Sequence, residues 1–134
     1  MTNPRPRPTK RIVMLCLAFE VSRLSTCRRN QVGCVLTDDD FEQIAIGYNG
    51  TYSGGPNDCL MPDNDPCGCI HAEVNALVKA KFRPTRAFVT TSPCLRCATL
   101  LINAHVKEVI IGVPHANQDG TVLLKTAGID VITT

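Results

Sequence analysis

The sequence contains no tryptophan, and aromatic residues make up only 4% of its 134 residues. Proteins that bind single-stranded nucleic acid usually stack the bases on aromatic side chains along a basic groove. The formal net charge is only +2 at pH 7, so the composition does not indicate such a groove either. We therefore expect a protein that does not act on nucleic acid.

Long hydrophobic runs are also absent. The apolar stretch Ile12–Phe19 is too short to span a bilayer, and it is followed by Glu20 and Arg23. No secretory signal is present at the start of the sequence. These absences predict a cytoplasmic protein without a membrane partner, in which thiols stay reduced.

The chain also has no change of composition that would mark a linker, so we predict a single domain over residues 10–134. Ahead of it, the segment PRPRPTKR (residues 4–11) interleaves basic residues with proline. Such a segment cannot bury much apolar surface, and we expect residues 1–9 to form a flexible, solvated basic arm. Phosphate binding by this arm is the alternative interpretation.

The hydrophobic pattern predicts a helix, a hairpin and a long loop in the first half of the chain. The helix begins after the capping residue Thr9 and runs to Leu24. Its apolar face is predicted from residues at helical spacing: Ile12, Leu15, Cys16 and Phe19. Residues 31–36 and 43–48 flank a turn of three aspartates and form the hairpin. Residues 50–70 then form an irregular loop rich in Gly, Pro, Asn and Asp.

Helices and strands alternate from this loop to the C-terminus. The predicted elements are a helix over 71–81, a strand over 87–91, a helix over 94–104, a strand over 108–112, a helix over 118–127 and a strand over 129–132. The order α-β-β-α-β-α-β-α-β predicts an α/β protein with one mixed five-stranded sheet, in which an antiparallel hairpin is followed by parallel strands. Helices are expected on both faces, which makes three layers, α-β-α.

Eight cysteines are more than a chain with 44% hydrophobic residues needs for stability. In a reducing compartment they are better interpreted as metal ligands, catalytic groups and core residues than as disulfides. Cys94 and Cys97 stand three residues apart at a predicted helix start, so their sulfurs share one face. His71 stands at the start of the preceding helix. Because such helix N-termini meet at one edge of an α/β sheet, we predict that these three residues bind one zinc ion.

Three protein ligands are typical of a catalytic zinc, which keeps its fourth position for water. The helix N-terminus should also favour the thiolate form of the cysteines. Glu73 lies two residues after His71, where it can reach the water and the substrate instead of the metal. A structural zinc site and a redox-active dithiol are the alternatives, although a redox pair has no need of His-x-Glu. The full pattern, H-x-E…P-C-x-x-C, is the signature of zinc nucleobase deaminases, in which the glutamate shuttles protons.

Further segments resemble the deoxycytidylate (dCMP) deaminase family of the cytidine deaminase-like superfamily. They are Ser25–Arg29, Val32–Val35, Gly47–Gly50, Gly54–Asn57, His71–Leu77, Ser92–Ala98 and Ala127–Val131. The resemblance covers about residues 10–132 and implies a cytidine deaminase-like fold.

The resemblance implies hydrolytic deamination of dCMP to dUMP and ammonia, which supplies thymidylate synthesis. A zinc-bound hydroxide would attack C4 of cytosine, and Glu73 would pass protons to N3 and to the departing amino group. Ser92 and the backbone of Thr91–Pro93 would hold the base. Asn49 would contact the nucleoside, and an ordinary Asn-Gly turn is the alternative for it. Arg29 is the candidate phosphate ligand, with a solvated surface arginine as the alternative.

The sequence departs from the family at Ala104–Val106 and along Ile110–His115, which contains no tyrosine. His115 belongs either to the edge of the pocket or to an exposed loop. The altered wall leaves other substrates open, namely a 5-methyl or 5-hydroxymethyl dCMP, or another cytosine or purine compound. A non-catalytic zinc-binding module is the rival from a different class, but such a module has no need of Glu73.

The resemblance also points to a second, structural zinc, which some family members carry in the matching region. In that region stand Cys27, Cys59, Cys67 and Cys69. Four thiolates make the closed tetrahedron of a structural site, which would hold a loop that buries little apolar surface. Asp58 is the alternative for one ligand, and free thiols or a disulfide are the alternatives to the metal. Cys16 and Cys34 are expected in the core.

The expected partners follow from the same resemblance. The substrate would be a small deoxynucleotide, and the chain would form a homo-oligomer, commonly a hexamer in this family. Family members are often activated by dCTP and inhibited by dTTP, so Mg2+ bound with a nucleoside triphosphate effector is a further candidate cofactor.

Overall fold

The computed structural model describes residues 4–61, 63 and 67–134. Within these ranges the helices are α1 (Lys10–Ser22), α2 (Ala72–Lys79), α3 (Leu95–Asn103) and α4 (Asp119–Thr126). The strands are β1 (Gly33–Thr37), β2 (Ile44–Tyr48), β3 (Arg86–Thr91), β4 (Glu108–Val113) and β5 (Asp130–Thr133). The predicted order of elements is confirmed, with ends that differ by a few residues.

The five strands form one sheet in the order β2-β1-β3-β4-β5. Strand β1 is antiparallel to both β2 and β3, whereas β3, β4 and β5 are parallel to one another. The hairpin register pairs Gly33 with Tyr48 and Thr37 with Ile44. The predicted mixed sheet is confirmed, because α3 and α4 each return the chain to the same end of the sheet before the next parallel strand begins.

Helix α1 covers one face of the sheet, and the other three helices cover the opposite face. Beneath α1, Ala18 packs with Val35, Phe88 and Ile110. The larger cluster, on the other face, includes Cys34, Leu36, Ala76, Val89, Leu101 and Leu124. Successive residues of a strand point to opposite faces, so β1 contributes to both clusters. The predicted three-layer arrangement is confirmed.

Helix α1 buries a different face from the one that the sequence predicts. Three of the predicted core positions are exposed: Ile12, Cys16 and Phe19. Ala18 and Val21 are buried instead, because α1 lies so close to β1 that a Cβ on Gly33 would be 2.0 Å from the Ala18 carbonyl oxygen. Small residues make this approach possible, while the larger Met14, Leu15 and Leu17 are partly buried against the cluster beneath α1. The prediction that Cys16 lies in the core was therefore wrong, whereas the same prediction for Cys34 is confirmed.

The start of α1 agrees with the prediction. The Thr9 side chain accepts a hydrogen bond from the Ile12 backbone N–H at 3.2 Å. Residues 4–9 are exposed and belong to no helix or strand, and residues 1–3 of the predicted arm lie outside the described residues. Positions 62 and 64–66 of the predicted loop also lie outside them. In the rest of that loop, the described pairing is a β-bridge between Gly50 and Ile70.

Candidate metal centre and substrate cavity

Two helix N-termini bring the predicted catalytic metal ligands together. His71 is the residue before α2, and Cys94 is the residue before α3. The Cys94 sulfur accepts a hydrogen bond from the Cys97 backbone N–H at 3.5 Å, which fixes the first turn of α3. Cys97 lies one turn further along the same side of that helix. The start of α2 thus brings an imidazole close to the two sulfurs at the start of α3.

The three side chains fit the coordination of a zinc ion. The Nδ1 atom of His71 lies 3.3 Å from the Cys97 sulfur and 3.5 Å from the Cys94 sulfur. Ligand bonds of the usual zinc length, arranged tetrahedrally, separate a nitrogen from a sulfur by about 3.6 Å. His71 and Cys94 are exposed and Cys97 is buried, so the centre is open on one side. An open fourth position is what distinguishes a catalytic zinc site from a structural one.

The ionisation of Cys97 differs from the sequence expectation. Burial, and then the negative charges of Glu73 and Cys94, raise the pKa of the Cys97 thiol far above its ordinary value. Without a metal ion, burial therefore opposes the thiolate form, which the helix N-terminus was expected to favour. A divalent cation is the group that reverses this balance, since a coordinating thiol is deprotonated. The donor set therefore suits a metal ion better than a redox dithiol, which needs an accessible thiolate.

Glu73 lies beside this centre. Its side chain is buried, and burial raises the pKa of the carboxyl group above its ordinary value. The charge of His71 and a hydrogen bond with the Cys97 side chain act in the opposite direction. A carboxyl group with a raised pKa next to a metal centre can both accept and donate a proton during a reaction.

Close packing of α2 against β2 determines where His71 and Glu73 stand. A Cβ on Gly47 would lie 2.4 Å from the Ala72 carbonyl oxygen, so only glycine allows this approach. The Asn75 side chain donates a hydrogen bond to the Tyr48 carbonyl oxygen at 2.7 Å. Both contacts anchor the first turns of α2, the part of the helix that follows His71.

A cavity of about 300 Å³ opens beside the metal ligands, a size within the range of small-molecule sites. Its lining includes His71, Glu73 and Cys94. Asn49 and Ser92, the predicted substrate contacts, line it as well. The structure therefore joins the predicted metal ligands, the carboxylate and two of the predicted substrate contacts around one space.

The amide of Asn49 is largely engaged with protein groups. Its Oδ1 atom accepts hydrogen bonds from the Ser25 hydroxyl at 2.6 Å and the Val32 backbone N–H at 2.8 Å. Its Nδ2 atom donates to the Asn30 carbonyl oxygen at 2.7 Å. One N–H of the amide is left for a ligand. The adjacent Gly50 pairs with Ile70 in the β-bridge, so the alternative of an ordinary Asn-Gly turn does not hold.

Ser92 connects the end of β3 to the segment before α4. Its hydroxyl oxygen accepts hydrogen bonds from the His115 backbone N–H at 3.0 Å and the Gln118 side chain at 3.1 Å. His115 and Asn117 both line the cavity, so His115 stands at its edge although its side chain is exposed. The sequence reasoning missed Asn30 and Asn117, which also line the cavity. The available signal was their position directly before a predicted element, the strand over 31–36 for Asn30 and the helix over 118–127 for Asn117.

Arg29 takes a different position from the other predicted substrate contacts. It is absent from the described residues that line the cavity. Its charge is nevertheless close to the cavity wall. A hydrogen bond from the Cys69 backbone N–H, together with the charge of Arg29, lowers the pKa of Cys67, and Cys67 lines the cavity.

The four cysteines predicted for a second metal approach one another as two pairs. The Cys67 and Cys59 side chains form a hydrogen bond, and so do those of Cys69 and Cys27. Burial, and then the charges of Cys27 and Cys67, raise the pKa of Cys69 to about 12. Within the described residues, one group of three or more possible metal ligands has all its ligand atoms within 4.8 Å of one another, and that group is His71, Cys94 and Cys97. Cys27, Cys67 and Cys69 also line the cavity.

The sequence is similar to known proteins over most of its length. A family model for the cytidine and deoxycytidylate deaminase zinc-binding region matches residues 8–113. The deoxycytidylate deaminase of Saccharomyces cerevisiae is 31% identical over 143 residues, which cover 96% of this chain and 46% of the yeast protein. That of Mus musculus is 30% identical over 132 residues, with 86% and 74% covered. The chain spans about half the length of several of the curated relatives that it matches.

The structure is similar to that of a solved dCMP deaminase. The dCMP deaminase of cyanophage S-TIM5, solved in complex with dCMP and dUMP, has a TM-score of 0.84 and 30% sequence identity to this chain. The match covers 97% of this chain and 100% of the phage chain. The similarity therefore includes every element of the fold described above.

Proposed function

This chain belongs to the cytidine and deoxycytidylate deaminase family, and from that premise we propose that it is a zinc-dependent hydrolase that deaminates dCMP to dUMP and ammonia. One observation carries the proposal. The open His71, Cys94 and Cys97 group and the buried carboxyl of Glu73 border the same cavity, which has the size of a small-molecule site. A non-catalytic module has no use for a buried carboxyl group there.

In this mechanism the imidazole of His71 and the two thiolates would hold the zinc. When bound, zinc supplies a Lewis acid that lowers the pKa of a water molecule to about 7. The Glu73 carboxylate would take the proton that this water loses and deliver it to N3 of the cytosine. Once the oxygen has bonded to C4, the carboxylate would take the second proton from that oxygen and give it to the amino group, so that the C4–N bond breaks and ammonia leaves. The raised pKa of Glu73 supports this role, because it favours the protonated form that must donate.

Recognition of the substrate would use groups from both ends of the cavity. The remaining N–H of Asn49 is available to a sugar hydroxyl or the base. Ser92 would act by holding the His115 segment in place, since its hydroxyl oxygen already accepts two hydrogen bonds. Arg29 stays the candidate for the phosphate, supported by its closeness to Cys67 on the cavity wall.

An ammonia-release assay tests this function directly. We expect turnover of dCMP when it is compared with its 5-methyl and 5-hydroxymethyl forms, cytidine and dCTP. Glu73→Gln should lower kcat about a thousandfold or more while the protein keeps its zinc, because it removes the proton carrier and spares the ligands. Glu42→Gln, at an exposed position, is the matched control. Absence of ammonia from every cytosine nucleotide would refute the proposed activity.

We also propose that Cys27, Cys59, Cys67 and Cys69 hold a second, structural zinc. The thiols come from three segments of the chain, and a metal ion bound by all of them would contribute folding energy to a loop rich in Gly and Pro. Metal analysis should find two zinc ions per chain in the wild type and one in Cys59→Ser. Cys16→Ser, which alters an exposed cysteine outside the cluster, should keep both. One zinc per wild-type chain would contradict the second site.

Assembly and regulation are further parts of the proposal. We propose a homo-oligomer, a hexamer by analogy with the family, supported by the exposed apolar side chains of α1. Regulation by dCTP and dTTP with Mg2+ and a cytoplasmic location stay predictions of the sequence. Among the described residues, no helix has the length and apolar character needed to cross a membrane.

A further inference from the structure

His115 stands at the edge of the cavity, in a segment that hydrogen bonds hold to the end of β3. Its backbone N–H donates to the Ser92 hydroxyl oxygen at 3.0 Å. The Gln118 side chain donates to the same oxygen at 3.1 Å and also to the His115 carbonyl oxygen. Ser92 stands two residues before the metal ligand Cys94. These contacts tie the position of His115 to that of the metal centre.

One contact of the His115 ring determines which of its nitrogens carries a proton. The Nδ1 atom accepts a hydrogen bond from the Asn117 backbone N–H at 3.0 Å. A backbone N–H can only donate, so Nδ1 has no proton and the neutral ring carries its proton on Nε2. No residue that the structure describes accepts a hydrogen bond from this Nε2–H. Because His115 is exposed and lines the cavity, the Nε2–H is a donor available to a ligand.

The cavity becomes more exposed from the reacting groups toward His115. Glu73 is 4% exposed and Ser92 is 7% exposed, whereas His115 belongs to the exposed residues. On the proposed function, the cytosine ring must reach Glu73 and the metal ligands. The phosphate lies at the opposite end of a nucleotide, and burying its negative charges would be costly. The phosphate would therefore lie at the exposed rim, where His115 stands.

Few side chains at this rim can donate to a phosphate. The described residues that line the cavity include no lysine or arginine. Apart from two of the metal ligands, its exposed lining residues are Asn30, His115 and Asn117. The Asn117 side chain is partly engaged, since its Oδ1 atom accepts from the Asp119 backbone N–H at 2.9 Å. The His115 ring is held by its Nδ1 contact, so its N–H loses little freedom when it binds a ligand.

We propose that the Nε2–H of His115 donates a hydrogen bond to the phosphate of the substrate. This contact would make the enzyme favour a deoxynucleoside monophosphate over the free deoxynucleoside. The inference rests on the proposed deaminase function. His115 belongs to the segment 110–115, where the sequence departs from the family, so the resemblance assigns it no role. Arg29 would add positive charge near Cys67, whereas His115 would supply a directed N–H.

Two replacements of His115 separate the roles of its ring nitrogens. Asparagine places an amide near the position of Nδ1, where it can still accept from the Asn117 backbone N–H, but it offers no donor near Nε2. Glutamine is longer and offers an N–H near the position of Nε2. Binding of dUMP and of deoxyuridine to the full chain loaded with zinc is measured by isothermal titration calorimetry, which requires no turnover.

We expect His115→Asn to weaken the binding of dUMP about tenfold, which is the effect of losing one hydrogen bond to a charged group. Deoxyuridine, which has no phosphate, should bind as it does to the wild type. His115→Gln should restore most of the affinity for dUMP. The matched control is His105→Asn, at an exposed histidine outside the cavity lining whose φ of 65° asparagine accepts readily.

The outcomes separate this inference from the proposed function. Unchanged dUMP binding in His115→Asn would refute the contact. An equal loss for dUMP and deoxyuridine would place the contact on the sugar or the base and overturn the inference, and so would a loss in His115→Gln as large as that in His115→Asn. Ammonia release from dCMP by the wild type is measured separately. A wild type that binds dUMP through His115 but releases no ammonia would refute the activity and leave the phosphate contact standing.

Discussion

At the scale of single residues, Asn49 combines two tasks. Its amide connects Ser25, Asn30 and Val32, three positions on the segment that leads from α1 to β1. Because Asn49 is buried and lines the cavity, the same side chain stabilises the cavity wall and offers one N–H to a ligand. A residue with this number of protein contacts affects stability as well as binding.

Replacement of Asn49 by alanine tests this interpretation. The change removes the partners of the part-buried Val32 N–H and Asn30 carbonyl oxygen, so we expect the free energy of unfolding to fall by about 2 kcal/mol. Urea denaturation followed by circular dichroism measures the loss. Asn103→Ala, at an exposed position of α3, is the control and should change little. Equal stability of the two variants would contradict the structural role of Asn49.

At the scale of secondary-structure elements, the contact between α2 and β2 controls the metal centre. The helix approaches the strand so closely at Gly47 that a Cβ there would also lie 2.4 Å from the Ala76 backbone nitrogen. A shift of α2 would carry His71 and Glu73 with it, whereas Cys94 and Cys97 belong to α3. The distance between the two halves of the site therefore depends on this packing.

We expect Gly47→Ala to separate the two halves of the metal site. The added methyl group must push α2 away from β2, and overpacking of this kind costs about 1–3 kcal/mol. Zinc affinity of the His71 centre, measured by competition with a chelator, should fall along with stability. Ile46→Ala changes an exposed position of the same strand and should leave zinc affinity intact. Unaltered zinc affinity in Gly47→Ala would show that α2 does not determine the geometry.

At the scale of the whole molecule, the outer surface of the α1 layer is unusually apolar. Ile12 is 52% exposed and Val13 is 44% exposed, and the exposed Cys16 and Phe19 lie on the same helix. Met14, Leu15 and Leu17 of the same helix pack against the sheet, whereas Ile12 and Val13 remain exposed. An apolar helix surface of this kind supports the proposed assembly of several chains.

Light scattering tests that assembly. The wild type should have a mass well above the 14.6 kDa of one chain. The double variant Ile12→Asp with Val13→Asp should weaken association by at least about tenfold, because it introduces charge into an apolar contact. Val122→Asp, at a 60% exposed position on α4, is the control on the opposite layer. A wild type that remains monomeric at all concentrations would contradict the oligomer.

Features that depend on local chemistry could be predicted from the order of residues alone. The Thr9 cap, the alternation of helices and strands, and the mixed sheet follow from residue type and spacing along the chain. The grouping of His71, Cys94 and Cys97 was also predictable, because helix N-termini meet at one edge of such a sheet. These signals need only neighbouring residues and a general rule of topology.

Features that depend on contact between distant segments became visible in the folded chain and not before. The buried face of α1 is set by Gly33, which no periodicity within the helix reveals. The pKa of Cys97 is raised because the folded chain buries the thiol, and then because the negative charges of Glu73 and Cys94 lie near it. The ion pair between Arg28 and Asp58 forms only when the segment after α1 meets the long loop that follows β2. In each case the interaction needs the close approach of segments that are distant in sequence, and this approach exists only once the chain has folded.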